Sequence, residues 1–225
     1  MISYDVFEAS VISPLAIGLA VAGAVFGVAA DRLAVRWPEH DEDHPPGRAV
    51  GWRTVASAAI GGFAFFLLGD RFGDAEPLAQ ILFGLWFATL VVGFAIDLDQ
   101  RLLPDELTLP VVPAALLFAL AGRNPLIGPD LGPAVAIAVV VPLGLFLASI
   151  PFGEGAFGLG DVKLLAGVGL MTGFLRTFTG LLSGLLAAGL VLALLLATRR
   201  IGRRTFIPFG PFLIFGALWG IFVRA

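Results

Sequence analysis

The chain has 225 residues, of which 58% are hydrophobic and only 14% are charged. Soluble domains have roughly a quarter of their residues charged, so this composition indicates a protein surrounded mainly by lipid. The net charge of −3 and the lack of a basic stripe give no indication of a nucleic-acid partner, and the lack of cysteine excludes disulfides, thiolate zinc sites and a cysteine nucleophile.

A helix needs roughly 20 mainly apolar residues to cross about 30 Å of hydrocarbon. Eight segments are candidates, of which the second, fourth and sixth are short: 12–34, 55–68, 78–96, 107–121, 131–150, 162–174, 178–198 and 206–223. We therefore predict an all-α, polytopic membrane bundle of about eight transmembrane helices. No basic residue precedes the first segment, so we interpret it as a retained span and not as a signal peptide.

One long polar segment, residues 36–53, follows the first predicted span. Its prolines and glycines predict a loop. His40 and His44 bracket three acidic residues and are weak candidates for a divalent metal. A metal site also needs fixed geometry and supporting hydrogen bonds, so we favour a solvated acidic loop and predict no metal.

The basic residues predict the orientation of the chain in the membrane. With the N-terminus outside, ten of the 14 basic residues fall in cytoplasmic segments and four fall in outer segments. This distribution satisfies the positive-inside tendency. It predicts a multi-pass protein of the cytoplasmic (inner) membrane, with Asp97 and Asp161 both on the cytoplasmic side.

Asp97 ends the apolar run VVGFAI and is the first candidate for chemistry. Carboxylates at the edge of hydrocarbon are costly and are functional candidates by default. Asp99 points to the other side of a continuing helix, so we expect it to support the site or to be solvated. Asp105 follows Pro104 in a setting that favours a helix N-cap.

Asp161 and Glu154 compete for a second acidic role. The glycine-rich stretch before Asp161 cannot form a regular helix, and 162–174 is too short to cross about 30 Å of hydrocarbon. We expect the glycine loop to dip toward the bilayer, where it would be buried in protein or line a wet cavity. Asp161 would then begin a helix inside that cavity. A purely structural N-cap role for Asp161 stays open.

A close pair of carboxylates suits the activation of water. Two such groups a few ångströms apart do not ionise together easily, so one retains a proton. The ionised group can take a proton from water while its partner donates one to a carbonyl oxygen. Peptide hydrolysis fits, because both histidines lie in the acidic loop and leave no serine–histidine set. Lys163, the only lysine, either tunes the pair, holds substrate or extends to the membrane interface.

Three motifs in order resemble the prepilin peptidases, membrane aspartyl proteases of the G-x-G-D class. They are IDLDQRLLPDELTLP at 96–110, GLGDVKLLAGVG at 158–169 and IPFGPFLIFG at 207–216. Archaeal preflagellin peptidases and, more remotely, presenilin are related. A single G-x-G-D is weak in a chain with 29 glycines, but the ordered set is specific and covers roughly the last two-thirds of the chain.

The resemblance implies a single membrane-embedded peptidase domain over 1–225, with Asp97 and Asp161 as the catalytic dyad. It implies that Gly158 and Gly160 shape the loop that holds Asp161. The implied substrate is a pilin-like precursor with a short basic leader and a hydrophobic helix, cut at the cytoplasmic membrane face, typically after a glycine.

The chain departs from the family between its first two spans. Many bacterial members also N-methylate the new N-terminus with S-adenosylmethionine and carry an insert whose paired cysteines bind zinc. Here residues 36–53 replace that insert and have no cysteine. We therefore expect peptidase activity alone, without a cofactor, and keep the bifunctional enzyme, which would use S-adenosylmethionine, as an alternative.

Three other functions remain alternatives. An ion-coupled transporter also uses intramembrane acids, but such acids lie near the bilayer midplane and these are predicted near one face. A non-catalytic pilus-assembly factor would be favoured if either aspartate were missing. A protease resembling signal-peptide peptidase, with a different helical substrate, stays open.

Overall fold

The computed structural model describes residues 13–40, 47–128, 131–152, 158–200, 202 and 207–223. All regular secondary structure within these residues is helical, which confirms the predicted all-α class. The helices are α1 Pro14–Ala34, α2 Trp52–Phe72, α3 Pro77–Gln100, α4 Asp105–Thr108, α5 Val111–Leu120, α6 Gly132–Ser149, α7 Leu159–Ala197 and α8 Gly210–Phe222, with a 3₁₀ turn at Ile150–Phe152.

Counted by length and composition, the described helices that can cross a membrane are fewer than the eight predicted. Among the described residues, five helices are long and apolar enough to cross a membrane, namely α1, α2, α3, α6 and α7. The predicted span 107–121 is interrupted at Pro110, which leaves α5 with 10 residues. Pro211 in its first turn favours the start of α8 at Gly210, and α8 has 13 residues.

The sixth and seventh predicted spans correspond to the two helical arms of α7, which meet at Gly173, where the chain turns back. This residue has φ 76° and ψ −179°, a conformation that only glycine adopts without strain. Asn124, in the α5–α6 connection, donates a hydrogen bond of 3.0 Å to the carbonyl of Met171, just before the turn. Arg176, just after it, donates to the carbonyl of Leu126. The α5–α6 connection therefore holds both sides of the turn.

The returning half of α7, residues 174–197, packs antiparallel to α8. A Cβ at Gly180 would collide with the carbonyl of Gly216, and a Cβ at Gly220 would collide with that of Arg176. At Gly184 a Cβ would lie 2.5 Å from the carbonyl oxygen of Phe212. Small residues let membrane helices approach at this distance, so these glycines set the separation of the two helices.

Helix α3 lies at the centre of the described bundle. It packs against α1, α2, α4 and α8, and its buried side chains include Phe83, Phe87 and Ile96. Phe83 stacks on Phe72 of α2 with ring centroids 4.0 Å apart. This packing fixes the axis of the helix whose last turn carries Asp97.

Candidate active site

Asp97 lies in the last turn of α3, and its side chain is only 5% exposed. The helix ends at Arg101, which has φ 58° and donates its backbone N–H to the Asp97 carbonyl at 3.0 Å. On the side facing α8, the Asp97 carboxylate interacts with the backbone N–H of Gly210. Its Oδ2 is nevertheless buried without a hydrogen-bond partner among the described residues. Such an atom can accept a proton or a hydrogen bond from a substrate or water.

Asp161 is the third residue of α7 and is half-buried. The N-cap of the helix is Gly158, whose backbone N–H interacts with the Asp161 carboxylate. A side chain at the third position that reaches back to the N-cap is half of a capping box. The expected place of Asp161 at a helix start is therefore correct, although Asp161 caps the helix from its third position and not as the N-cap residue.

The two carboxylates converge where α3, α7 and α8 meet, close enough for their charges to interact. Leu103, in the chain after α3, joins the three helices. A Cβ added to Gly93 would lie 3.2 Å from Leu103 Cδ2. A Cβ added to Gly160 would lie 2.9 Å from Leu103 Cβ, and one added to Gly210 would lie 3.3 Å from Leu103 Cδ1. The three glycines let one leucine side chain touch all three helices, which brings Asp97 toward Asp161.

Gly160 and Gly158 differ in what the site requires of them. A side chain at Gly160 would collide with Leu103, so the resemblance and the packing agree on a need for glycine there. Gly158 has φ −74° and ψ 149°, and a Cβ would lie 3.6 Å from Asp161 Oδ2 and 3.9 Å from the Gly160 nitrogen, both ordinary contacts. The described geometry therefore places no steric requirement for glycine at 158.

Asp99 points away from Asp97, as the helical spacing predicted. Its Oδ1 accepts hydrogen bonds of 2.7 Å from both Arg48 and Arg53, and His40 Nε2 lies 3.5 Å from Oδ2. The side chain is 7% exposed. The solvated alternative for Asp99 is therefore wrong, because two arginines cover it.

A second buried acid, Asp31 of α1, continues this ion-pair network. Its side chain is fully buried and accepts hydrogen bonds from Arg48 Nη2 at 2.6 Å and from Thr54 Oγ1 at 2.7 Å, and it also pairs with Arg32. Desolvation opposes the charge of Arg48, but its hydrogen bonds to the two aspartates raise its pKa, so the guanidinium stays charged. The sequence analysis missed Asp31. Its place inside the first predicted span was the available signal.

Asp105 and Lys163 join α4 to the first turns of α7. Lys163 Nζ lies 2.5 Å from Asp105 Oδ1, and the Asp105 side chain is 57% exposed. The prediction that Asp105 is the N-cap is wrong. Pro104 holds that position, and its carbonyl accepts the backbone N–H of Leu107 at 3.1 Å. Pro104 is therefore the N-cap of α4, which leaves the Asp105 side chain free to reach Lys163.

His40 faces the end of α3, and among the described residues it belongs to no cluster of metal-binding side chains. Its Nε2 lies 3.3 Å from Nε2 of Gln100. The described part of the chain contains no group of three histidine, aspartate or glutamate side chains placed to hold an ion. The other weak metal candidate, His44, and the competing acid Glu154 lie outside the described residues.

Comparison with known proteins identifies similar sequences. The sequence model described as "Type IV leader peptidase family" matches residues 81–198. A "Prepilin leader peptidase/N-methyltransferase" of Dickeya chrysanthemi is 33% identical over 183 residues, which are 79% of this chain and 62% of that relative. The corresponding enzyme of Aeromonas hydrophila is 37% identical over 130 residues, 56% of this chain and 44% of the relative.

A "Type 4 prepilin-like proteins leader peptide-processing enzyme" of Escherichia coli O78:H11 is 32% identical over 149 residues, 66% of this chain and 52% of the relative. The chain thus spans less than two-thirds of the length of these curated relatives. No solved structure matches the chain. The matched residues 81–198 include Asp97, Leu103, Gly160 and Asp161.

Proposed function

Because this chain belongs to the type IV leader peptidase family, we propose that it is a membrane aspartyl endopeptidase that removes the leader from pilin-like precursors. The observation that carries the proposal is the convergence of Asp97 and Asp161 at the common end of α3, α7 and α8, with Oδ2 of Asp97 buried and unpartnered among the described residues. A close acid pair with one buried oxygen that no described group bonds is better explained by a role in proton transfer than by a structural role.

In the proposed reaction one carboxylate is ionised and the other protonated. The ionised group removes a proton from water, whose oxygen attacks the scissile carbonyl carbon, while the protonated group donates to the carbonyl oxygen. The resulting gem-diol collapses when the protonated carboxyl group donates its proton to the peptide nitrogen, the other carboxylate removes a proton from one gem-diol hydroxyl, and the C–N bond breaks. The two aspartates end with one shared proton again, so they are treated as a pair without separate assignments.

An apolar groove beside the helix ends that carry the pair supports a hydrophobic substrate, although neither aspartate lines it. An entirely apolar groove lies between α2, α3, α7 and α8 and is lined by residues that include Phe94, Leu98, Pro211 and Phe215. Leu98 and Pro211 directly follow Asp97 and Gly210 in the chain. A helical precursor lying in this groove would place its polar leader beside the carboxylates. We therefore propose a pilin-like precursor with a hydrophobic N-terminal helix as the partner.

The proposed location is the inner membrane, with the N-terminus outside and the acid pair on the cytoplasmic side. Arg48 and Arg53, which belong to the arginine-rich segment between α1 and α2, contact Asp99 at the end of α3. That segment and the acid pair are therefore at the same end of the bundle. The positive-inside tendency places this end in the cytoplasm.

We propose peptidase activity without methyl transfer. The family's zinc-binding cysteines have no counterpart, because the sequence contains no cysteine, so a thiolate zinc site does not fit this chain. Incubating the purified protein with precursor and S-adenosylmethionine tests this point. Methylated product would contradict it.

Co-expression in a bacterial host tests the peptidase directly. The probe is a pilin-like precursor with a short basic leader that ends in glycine before an apolar helix. We expect a product shortened by the leader, identified by mass and by its new N-terminus. An unprocessed precursor in membranes that contain the folded protein would contradict the proposal.

A further inference from the structure

Arg48 contacts both α1 and α3, using two guanidinium nitrogen atoms and its backbone carbonyl. Nε donates to Asp99 Oδ1 at 2.7 Å, and Nη2 donates to Asp31 Oδ1 at 2.6 Å. Its backbone carbonyl accepts a hydrogen bond of 3.1 Å from Arg32 Nη1. Asp31 belongs to α1 and Asp99 to α3, and Arg48 lies in the chain between α1 and α2. Arg48 therefore ties the end of α3 to a buried acid in α1.

The tie acts on the turn of α3 that carries Asp97. Asp99 is two residues after Asp97 on the opposite side of the helix, so the two carboxylates face different partners. On one side are Asp161 and Gly210, and on the other is Arg48. Beyond Asp99 the helix ends at Arg101 in a left-handed conformation. The last turn has no further helix to support it, so lateral contacts hold it in place.

We propose that Arg48 is a positioning residue for the Asp97 carboxylate. By holding Asp99 against the fully buried Asp31, it fixes the last turn of α3 and keeps Asp97 directed at Asp161. The inference rests on the proposed function for its activity readout. It makes the segment between α1 and α2 a determinant of cleavage even though none of its described residues belongs to the acid pair.

Lysine is the informative substitution at this position. Its single ammonium group cannot reach two carboxylates with two separate nitrogens, as the arginine fork does. Arg48→Lys still leaves a positive charge in the network, where Arg32 continues to pair with Asp31 and Arg53 with Asp99. The fold is therefore retained while the link from Asp99 through Arg48 to Asp31 is lost, because the packing of α1 on α3 and the hydrogen bond from Gln100 Nε2 to the Ala34 carbonyl remain.

The test compares Arg48→Lys with Arg123→Lys in purified, detergent-solubilised protein. Arg123 pairs at 3.1 Å with Glu76, the N-cap of the same helix α3, at the end away from Asp97. With the precursor probe we expect Arg48→Lys to lower kcat about tenfold with KM nearly unchanged, since small misplacement of a catalytic group mainly slows the chemical step. Arg123→Lys keeps both constants.

A double variant separates positioning from a general loss of structure. If Arg48 acts through Asp99, then Arg48→Lys adds no further loss of kcat to an Asp99→Asn protein. The proposal would be overturned if the double variant lost kcat by the product of the two single losses. It would also be overturned by an Arg48→Lys enzyme with unchanged kcat. All assays are run well below the lowest thermal midpoint of the set.

Hydrogen exchange provides a readout that does not depend on cleavage. In Arg48→Lys we expect faster exchange of the backbone amides around Arg101, whose N–H bonds to the Asp97 carbonyl, and no change there in Arg123→Lys. Equal exchange in the two variants would overturn the positioning role. A wild-type protein that fails to cleave while this difference persists would instead count against the proposed function.

Discussion

Gly210 and Asp97 are in direct contact across the α3–α8 interface, and a Cβ at Gly210 would lie 2.7 Å from Asp97 Oδ2. This distance is shorter than real Cβ contacts. Glycine at 210 thus lets the N-terminus of α8 approach the Asp97 carboxylate. The backbone N–H of Gly210 interacts with this carboxylate. The approach of α8 defines one wall of the site.

Gly210→Ala tests this wall. The added methyl group displaces the Asp97 carboxylate but leaves the helices folded, so we expect about a 10²-fold loss of kcat/KM with a small change in thermal midpoint. Gly189→Ala is the control, because nothing lies within 4 Å of a Cβ there. An active Gly210→Ala enzyme would show that the close contact is not needed.

Leu103→Ala tests the side chain that joins the three glycines. Removing it opens space between α3, α7 and α8, so we expect a loss of about 2 kcal/mol in the free energy of unfolding and lower kcat. The control is Leu102→Ala, since Leu102 is 39% exposed and its substitution should cost less than about 0.5 kcal/mol. Thermal unfolding and cleavage of the precursor measure both effects. Equal behaviour of the two variants would contradict the packing role of Leu103.

Gly216→Val tests the antiparallel packing of α7 on α8. A Cβ at Gly216 would collide with the carbonyl of Gly180, so valine forces the helices apart at a cost of about 1–3 kcal/mol. We expect a lower thermal midpoint in detergent. Gly189→Val, on the open face of α7, should keep the midpoint. If both valine variants unfold alike, close approach at Gly216 does not stabilise the pair.

The ion pair between Lys163 and Asp105 is tested by exchanging the charges. Lys163→Glu repels Asp105 and separates α4 from α7, so we expect reduced cleavage, and adding Asp105→Lys should restore it. Exposed pairs contribute about 0–1 kcal/mol, so the stability change stays small. Failure of the exchange to restore activity would indicate that Lys163 contacts the substrate itself. The control is Arg123→Glu, which reverses the charge beside Glu76 at a place far from the site.

The sequence was sufficient to find the acidic residues that end or interrupt apolar runs. Asp97 and Asp161 stand out because charge is costly at the edge of hydrocarbon, and the same rule would have found Asp31. The contact between Gly210 and Asp97 could not be predicted, because it depends on how distant helices pack. The number of membrane-spanning helices was overestimated because apolar composition alone does not show that prolines interrupt the segments that became α5 and α8.

The direction of Asp99 was predictable from helical spacing, but its burial was not. Spacing fixes the side of the helix on which a residue lies, whereas burial depends on what covers that side. Arg48 and Arg53 come from a segment that composition describes only as polar. The role of Asp105 was not predictable for the same reason. Its side chain can cap a helix or pair with Lys163, and only the packing of α4 against α7 brings Lys163 within reach.

The central claim, that Asp97 and Asp161 form a catalytic pair, is tested most directly by asparagine substitution. Each of Asp97→Asn and Asp161→Asn keeps the shape of the side chain and removes its proton transfer, so we predict folded proteins whose cleavage of the precursor falls about 10³-fold or more. Asp99→Asn should retain measurable cleavage, because Asp99 faces away from the pair. Normal cleavage by either pair variant, or an inactive Asp99→Asn protein beside an active Asp97→Asn protein, would contradict the account.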